Sequence, residues 1–303
     1  MPETPRDNGP ETAVWPKGDA PIAVLLISLN EGHNLEAALS NLSGWAQEVF
    51  LVDSFSKDDT IDIALRHGIH VVQRPFRGFG DQWNFALEKL PITAPWTMKL
   101  DPDERLDGVL KSSIARAIEE HRGDALSIER QLWFMERPLP IKQRLTRVWR
   151  TGSCRFSDVL VNEHPIVSGK TIDVEGTLQH RDSPDLQHWL DKQNSYTTME
   201  AITAYEDRPL AARVSLFGST LERRMWFKRN FSRIPFRFAL LFFYNWLIKG
   251  TWRAGRVGYR WARLRSDVMR LREYKRFEFE MLGGVPPKRP SGPGEPDPRV
   301  EQC

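Results

Sequence analysis

Two carboxylates separated by one residue, Asp101-Pro102-Asp103, are the side chains of this chain best suited to chemistry. They follow an apolar run of strand length, so we predict that they stand at a strand end. Two carboxylates at this spacing can share one hard cation, Mg²⁺ or Mn²⁺, with diphosphate oxygens. Such a cation would neutralise the charge that builds on a departing nucleoside diphosphate. The alternative is a surface turn, since Asp-Pro-Asp is common turn chemistry.

The segments around this motif alternate between short apolar runs and amphipathic stretches. Strands are predicted at 22–29, 49–52, 69–72 and 96–100, with a helix between each pair. Beyond the motif, helices are predicted at 109–121 and 186–205, a strand near 125–128, and strands and loops over 133–173. The order of the first four strands predicts βαβ units, and therefore an α/β fold with a mostly parallel sheet flanked by helices.

Polar residues follow the predicted strands. The strand ends are residues 28–31, 53–56, 73–77 and 101–103. In open sheets of this kind ligands bind outside the carboxyl ends of the strands. The strand ends therefore predict a ligand site at one edge of the sheet, with Asp101 and Asp103 inside it.

Four motifs occur in a fixed order. They read I-S-L-N-E at 27–31, V-D-S-F-S-K-D-D-T at 52–60, G-F-G-D-Q-W-N-F-A-L at 78–87 and L-D-P-D-E at 100–104. Together they resemble the family 2 glycosyltransferases with the GT-A fold, and in particular the bacterial enzymes that add sugars to the lipopolysaccharide core. The resemblance departs from the usual pattern at Phe55, Trp83 and Pro102, where Gly, a polar residue and Ala are common.

The resemblance implies a role for each matching residue. Asp103 would ligate the metal, Mg²⁺ or Mn²⁺, and Asp101 would contact the ribose or the sugar. The other residues expected to line the nucleotide-sugar pocket are Ser28, Glu31, Asp53, Ser54, Ser56, Gln82 and Asn84. The alternatives are a residue that caps a helix, for Asp53, and a solvated helix face, for Gln82 and Asn84.

An inverting displacement also needs a group that removes the proton of the acceptor hydroxyl. The candidate is Glu163 in V-N-E-H-P-I-V, because the related enzymes carry a similar V-H-E element; His164 remains an alternative, and Glu104 a weaker one. Arg147 and Arg150 are candidates for binding a phosphate, with a solvated strand face as the alternative. His180 is a candidate for a structural or acceptor-side role. Lys192 and Tyr196, one helical turn apart, either face the cleft together or only pack against the domain.

The segment from Leu221 to Arg276 is strongly basic. It holds 16 Lys and Arg against three acidic residues, a net charge of +13 in a chain of net charge +3. It also contains the apolar run 238–248, too short to span a membrane as a helix, and then a basic amphipathic helical pattern. The combination favours attachment to an anionic membrane surface over nucleic-acid binding, with simple packing on the domain as the alternative.

The composition and the termini complete the expected organisation. Residues 1–19 and 283–303 are polar and rich in Pro or Gly and are predicted to be disordered; residues 20–215 form the GT-A domain and 216–282 the membrane-associating helices. Cys154 and Cys303 form no metal-binding pair, and no secretion signal is evident. The expected location is the cytoplasm, on the inner face of the cytoplasmic membrane.

The predicted function is therefore inverting transfer of a hexose from a nucleotide-sugar, with UDP as the expected nucleotide, to a membrane-associated glycolipid. Lipopolysaccharide core or related envelope glycan synthesis is the expected process. Two alternatives remain: a sugar nucleotidyltransferase, which would require a Gly-rich phosphate loop after the first strand, and a non-catalytic protein that binds nucleotide-sugars at the membrane.

Overall fold

The computed structural model describes residues 13–157, 163–181, 183–210 and 212–287. The strands are β1 (Ala20–Ser28), β2 (Ala46–Asp53), β3 (His70–Gln73), β4 (Trp96–Lys99), β5 (Glu104–Leu106), β6 (Ala125–Phe134), β7 (Arg137–Arg150), β8 (Cys154–Phe156), β9 (Pro165–Val167) and β10 (Thr171–Arg181). The helices are α1 (Gly32–Leu42), α2 (Thr60–Arg66), α3 (Phe79–Lys89), α4 (Gly108–Glu119), α5 (Leu186–Tyr205), α6 (Thr220–Asn230), α7 (Arg237–Phe243) and α8 (Gly255–Leu282).

Eight of these strands form one sheet in the order β3-β2-β1-β4-β7-β6-β10-β5. Within the described residues six strands run in one direction, and only β7 and β5 run against them. The α/β fold with a mostly parallel sheet is thereby confirmed, and so is the parallel arrangement of the first four strands. The antiparallel strands at the other side of the sheet were not specified by the sequence pattern.

This strand order places the carboxyl ends of all six parallel strands at one edge, which we call the ligand edge. β5 follows β4 in the chain, but it pairs with β10 at the far side of the sheet. The connection between them, residues 100–103, therefore crosses the ligand edge from the β1–β4 half to the β6–β10 half. The acidic motif lies in this crossing.

Apolar residues cover both faces of the sheet. One cluster packs α1, α2 and α4 against the sheet, with Leu35, Leu39 and Ile114 fully buried. The other packs α3 and β8, through Trp83 and Phe156, against Trp149 on β7. The alternation of side chains along β4 sends Met98 to the first cluster and Lys99 to the second face.

The C-terminal helices pack on the domain through α5 and α8. A third apolar cluster joins Phe134 and Leu139 of the sheet to Trp189 of α5 and to Trp261 and Val268 of α8. In contrast, α7 has no buried residue, although its sequence is almost entirely apolar. No helix in the described parts of the chain has the length and hydrophobicity needed to cross a membrane.

The chain before β1 is partly ordered. Trp15, inside the segment predicted to be disordered, is 7% exposed and belongs to the first apolar cluster. Its indole N–H donates to the carbonyl oxygen of Ala46 at 3.0 Å. The disorder prediction therefore fails for this part of residues 1–19, because one large aromatic side chain is enough to dock the segment. Residues 1–12 and 288–303, the remainder of both predicted tails apart from 283–287, lie outside the described residues.

Candidate active site at the ligand edge

Asp53, at the end of β2, is a fully buried hub of hydrogen bonds. Oδ1 accepts from the hydroxyls of Ser28 and Ser56 at 2.8 and 2.5 Å; Oδ2 accepts from the Ser56 N–H and from Gln73 at 2.8 and 3.0 Å. Burial opposes the charge, but the hydrogen bonds from Gln73 and Ser56 outweigh it and lower the pKa of Asp53. Ser28, Asp53 and Ser56 are thus brought together as predicted. In this arrangement Asp53 holds the loops that follow β1 and β2. Contact between Asp53 and a base or ribose would require one of these hydrogen bonds to break.

The helix α3 residues divide into two groups. Gln82 is fully buried and donates to the Ser54 hydroxyl at 3.2 Å, and its Oε1 has no hydrogen-bond partner within the described residues. Asn84 instead exchanges two hydrogen bonds with the backbone of Phe156, at 3.0 and 2.7 Å. Gln82 therefore stays with the predicted pocket, whereas Asn84 anchors β8, and the predicted nucleotide-sugar contact of Asn84 is not supported.

Three charged residues hold the start of the acidic loop. The Arg147 guanidinium donates to Asp101 Oδ2 at 3.0 Å and to Glu104 Oε1 at 2.6 Å. Glu104 also accepts from the Asp101 N–H at 3.0 Å and is fully buried. Burial opposes the charge of Asp101, but Lys99 and Arg147 together lower its pKa to about 2. Glu104 and Arg147 therefore position the loop. Glu104 is unsuited to act as a base, and the two carboxylates share one terminal nitrogen of Arg147, Nη2.

Asp103 is surrounded by cationic and titratable groups from distant segments. Lys192 Nζ lies 2.8 Å and His180 Nε2 3.3 Å from its Oδ2. Burial opposes ionisation, but Lys192 and His180 hold the pKa of Asp103 well below its usual range. Glu31 completes the group: burial, then the charge of Asp103, raises its pKa to about 7. The structure thus brings His180 and Lys192 to Asp103, which gives both a place in the site.

Glu163 lies beside the same group. Its Oε1 is 2.5 Å from Lys99 Nζ, which in turn lies 4.5 Å from the centre of the Trp83 ring. The β8–β9 hairpin holds this segment, since the Ser157 N–H donates to the His164 carbonyl oxygen at 3.1 Å. Burial strongly raises the pKa of Tyr196, and the nearby carboxylates of Asp101, Glu163 and Asp103 add to it. Glu163 is therefore close to the acidic motif, and Asn162, in the same element, lies outside the described residues.

Two other candidates lie apart. Arg150 pairs with Asp124 at 3.2 Å and is the register partner of Trp96, at the opposite end of β4 from the acidic motif. His164 is exposed to solvent at its surface, and partial desolvation of its ring, followed by the charge of Arg224, lowers its pKa. The arrangement removes Arg150 from the site and favours Glu163 over His164 as the base. Lys99, which sequence reasoning missed, had one signal: it is the only charged residue in a strand that is otherwise apolar or uncharged.

A divalent cation fits this site only with help from a substrate. Within the described residues no three His, Cys, Asp or Glu side chains form a metal cluster. Asp103 Oδ1, however, is buried without a hydrogen-bond partner there, and His180 lies beside the same carboxylate. Mg²⁺ in phosphate-transfer sites commonly takes one or two protein ligands and completes its shell with phosphate oxygens and water. Asp103 and His180 would be the protein ligands of such a cation.

Comparison with known proteins assigns the class. A family model described as "Glycosyl transferase family 2" matches residues 23–169, which include every strand of the β1–β4 half and the acidic loop. The match spans just under half of the chain, and the family is the one that the motifs resemble. The class of protein that the match indicates is a glycosyltransferase.

Two relatives and one solved structure illustrate the likeness. An uncharacterized glycosyltransferase of Rickettsia felis is 26% identical over 69% of this chain and 78% of its own length. The lipopolysaccharide core biosynthesis glycosyltransferase LpsC of Rhizobium meliloti is 27% identical over 79% of this chain and 85% of its own. Residues 1–349 of S. aureus TarS, in complex with UDP-GlcNAc, match 91% of this chain and 98% of that chain at 14% identity with a TM-score of 0.40.

Proposed function

We propose that this protein is an inverting glycosyltransferase that moves a hexose from a UDP-sugar to a membrane-associated glycolipid, in lipopolysaccharide core or related envelope glycan synthesis. The observation that carries the proposal is the crossing of the acidic loop over the ligand edge. Asp101 and Asp103 lie between the β1–β4 half, where the family's nucleotide-sugar motifs lie, and the β6–β10 half, which is free to hold an acceptor. The likeness to LpsC supports the lipopolysaccharide assignment.

The reaction follows from the groups around that loop. The acceptor oxygen attacks the anomeric carbon as its bond to the diphosphate oxygen breaks, and Glu163 takes the hydroxyl proton. The leaving nucleoside diphosphate gains negative charge, and the ammonium group of Lys192, beside Asp103, stabilises this charge. Mg²⁺ or Mn²⁺ held by Asp103 and His180 would supply Lewis-acid stabilisation of the same charge. Lys99 holds the Glu163 carboxylate in place between Trp83 and the acidic loop.

The acceptor's membrane location is supported by the surface of the C-terminal helices. Residues 236–248 expose a row of large apolar side chains, which we call the apolar ridge: Phe236, Leu240, Phe243, Tyr244, Leu247 and Ile248. Cationic side chains stand beside exposed rings at its end, with Lys249 5.7 Å from the Tyr244 ring and Arg253 5.3 Å from the Trp252 ring. Apolar and aromatic side chains flanked by Lys and Arg are typical of helices that lie in the headgroup region of an anionic bilayer. The protein would then work peripherally on the cytoplasmic face of that membrane.

A thermal-shift panel of nucleotide-sugars, with Mn²⁺ and with EDTA, tests the donor and the metal. We expect UDP-sugars to raise the melting temperature more with Mn²⁺ than with EDTA, and Asp103→Ala to abolish the difference. The absence of stabilisation by every nucleotide-sugar would overturn the glycosyl-transfer proposal. Equal stabilisation with EDTA would overturn only the role of the cation.

Vesicle flotation tests the membrane surface. Deletion of residues 221–276 is unsuitable as a test, because it would remove Trp261 and Val268 of α8 from the third apolar cluster and so disturb the fold. The variant Leu240→Ser/Phe243→Ser/Ile248→Ser is confined to the apolar ridge, and it should weaken binding to phosphatidylglycerol vesicles by roughly a hundredfold. The matched control, Leu65→Ser/Val109→Ser, alters exposed apolar residues of α2 and α4 and should bind as the wild type does. Equal binding by both variants would refute the surface.

A further inference from the structure

A small groove opens at the β6–β10 half of the ligand edge. Its walls are the turn between β6 and β7 and residues 183–185, which precede α5. Its lining residues are Phe134, Met135, Ser183, Pro184, Asp185 and Trp189. A side lobe extends to Trp133, Glu136 and Arg181. We call both together the hairpin groove.

The sheet places this groove next to the acidic loop and away from the nucleotide motifs. β6 and β10 run parallel to β4, so their last residues, Phe134 and Arg181, reach the same edge as Lys99. The Arg181 N–H donates to the carbonyl oxygen of Asp103 at 2.8 Å. A ligand in the groove would therefore lie beside Asp103, on the side opposite to Asp53.

The groove has the size and chemistry of a site for one sugar ring. The main part of the groove has a volume of about 170 Å³, below the ~300–1,000 Å³ typical of pockets for drug-sized ligands. The floor is apolar, with Phe134 edge-to-face on Trp189 at 5.6 Å between ring centres. The rim is polar, with Asp185, Arg181 and Glu136. An apolar floor with a few polar groups at the rim suits a ring that has one C–H face and outward hydroxyls.

Trp133, which lines the side lobe, carries a buried donor without an acceptor among the described residues. The indole Nε1 of Trp133 forms no hydrogen bond within the described residues. The Arg181 guanidinium lies 4.7 Å from the centre of the same ring and 4.0 Å from the Glu136 carboxylate. A buried N–H without an acceptor is unfavourable in the free protein, and a sugar hydroxyl would satisfy it.

The turn at the groove is conformationally costly. Met135 and Glu136 have φ of 49° and 55°, in the left-handed region. Two-residue hairpins of this kind favour Asn-Gly, because in the left-handed region Cβ crowds the following carbonyl oxygen; Gly has no Cβ, and Asn tolerates this region. The sequence instead carries two long side chains, and both are exposed at the groove. Such strain is characteristic of functional sites.

We propose that the hairpin groove is the acceptor subsite and holds one pyranose ring of the acceptor glycan, with Met135 against its C–H face and the Trp133 N–H and Glu136 carboxylate on its hydroxyls. The proposal rests on the proposed function, since it assigns the second substrate of that reaction.

NMR of protein labelled with ¹⁵N at the Trp indoles tests it without knowledge of the natural acceptor. The Trp133 resonance is identified by its loss in Trp133→Phe. Titration with the methyl glycosides of glucose, galactose and mannose should shift this resonance saturably for at least one of them and leave Trp252, on the C-terminal helices, unmoved. If no glycoside shifts it, or if UDP alone does, the subsite is refuted.

The variant Met135→Asn/Glu136→Gly separates binding from folding. It supplies the residues that the turn prefers, so its melting temperature should rise, while the apparent Kd for the glycoside should increase about tenfold. Unchanged glycoside affinity, or a fall in both stability and affinity, would overturn the proposal. Donor binding, followed by thermal shift with UDP-sugars, should equal that of the wild type; its absence in the wild type would refute the proposed function, independently of the glycoside result.

Discussion

The two halves of the ligand edge are built differently. In the β1–β4 half Asp53 joins the loops that follow two strands: it is fully buried and receives four hydrogen bonds. In the β6–β10 half the turn residues Met135 and Glu136 are exposed, and the Trp133 indole N–H forms no hydrogen bond within the described residues. The first half is preorganised by hydrogen bonds within the protein, whereas the second half leaves groups available for a ligand.

The groups that join these halves come from distant parts of the chain. Lys192 reaches Asp103 from α5, and Glu163 reaches Lys99 from the β8–β9 hairpin. This contrast between the two halves predicts that substitutions of Lys192 or Glu163 lower turnover. Substitutions in the β1–β4 half should lower stability, and those in the hairpin groove should lower ligand affinity. Each of the following measurements can contradict this division.

The largest effect is expected for Glu163→Gln. Removal of a positioned general base should lower the turnover number by about 10²–10⁴-fold, with little change in donor affinity. Turnover at saturating donor and acceptor is the measurement. His164→Gln is the matched control, and its turnover number should stay within about a few-fold of the wild-type value. A large loss of turnover in His164→Gln and a small one in Glu163→Gln would identify His164 as the base.

Arg147→Met, on β7, should be the most destabilising change among the residues that hold the acidic loop. It leaves the buried Glu104 and the partly exposed Asp101 without their shared partner, at a cost of about 3–5 kcal/mol in the free energy of unfolding. Urea denaturation measures this loss. Arg150→Met, which breaks a half-exposed pair with Asp124, should cost less than about 1 kcal/mol. Similar costs for the two variants would contradict the buried triad.

Asn84→Ala tests whether this residue anchors β8 or contacts the donor. The loss of two hydrogen bonds to the Phe156 backbone should cost about 1–3 kcal/mol of stability and lower turnover through the displaced Glu163 segment. Donor Kd, measured by calorimetry, should not change. A weakened donor affinity at unchanged stability would restore the role that the sequence motif indicated.

Glu31→Gln should change the pH dependence of stability. Because the pKa of Glu31 is raised from 4.5 to about 7, the unfolded chain loses this proton first as pH rises, and the folded state loses stability between these values. The variant has no carboxylate to ionise, so below the pKa that Glu31 has in the unfolded chain it should be no more stable than the wild type. Above pH ~7 its free energy of unfolding should exceed the wild-type value by about 1–3 kcal/mol. Melting curves across this range measure it. Exposed Glu88→Gln should show no such trend, and a constant offset for Glu31→Gln would contradict the raised pKa.

The sequence by itself determined the elements of the β1–β4 half and the position of Asp103 beyond a strand end. Helix α5 was predicted with its observed bounds, Leu186–Tyr205. Short apolar runs, helical periodicity and turn residues act within a few residues of the chain, so they can be read locally. The four motifs are equally local, and they sufficed to indicate the family.

Only the tertiary structure decided which side chains meet. The pairing of β5 with β10 brings His180 to the acidic loop, and the packing of α5 brings Lys192 there. The same holds for the two hydrogen bonds of Asn84, whose motif position pointed to the ligand and whose neighbour proved to be Phe156. Contacts between segments tens of residues apart depend on strand order and helix packing, which leave no periodic trace in either segment. The β6–β10 half of the site consists of such contacts, and for this reason it became visible only in the folded protein.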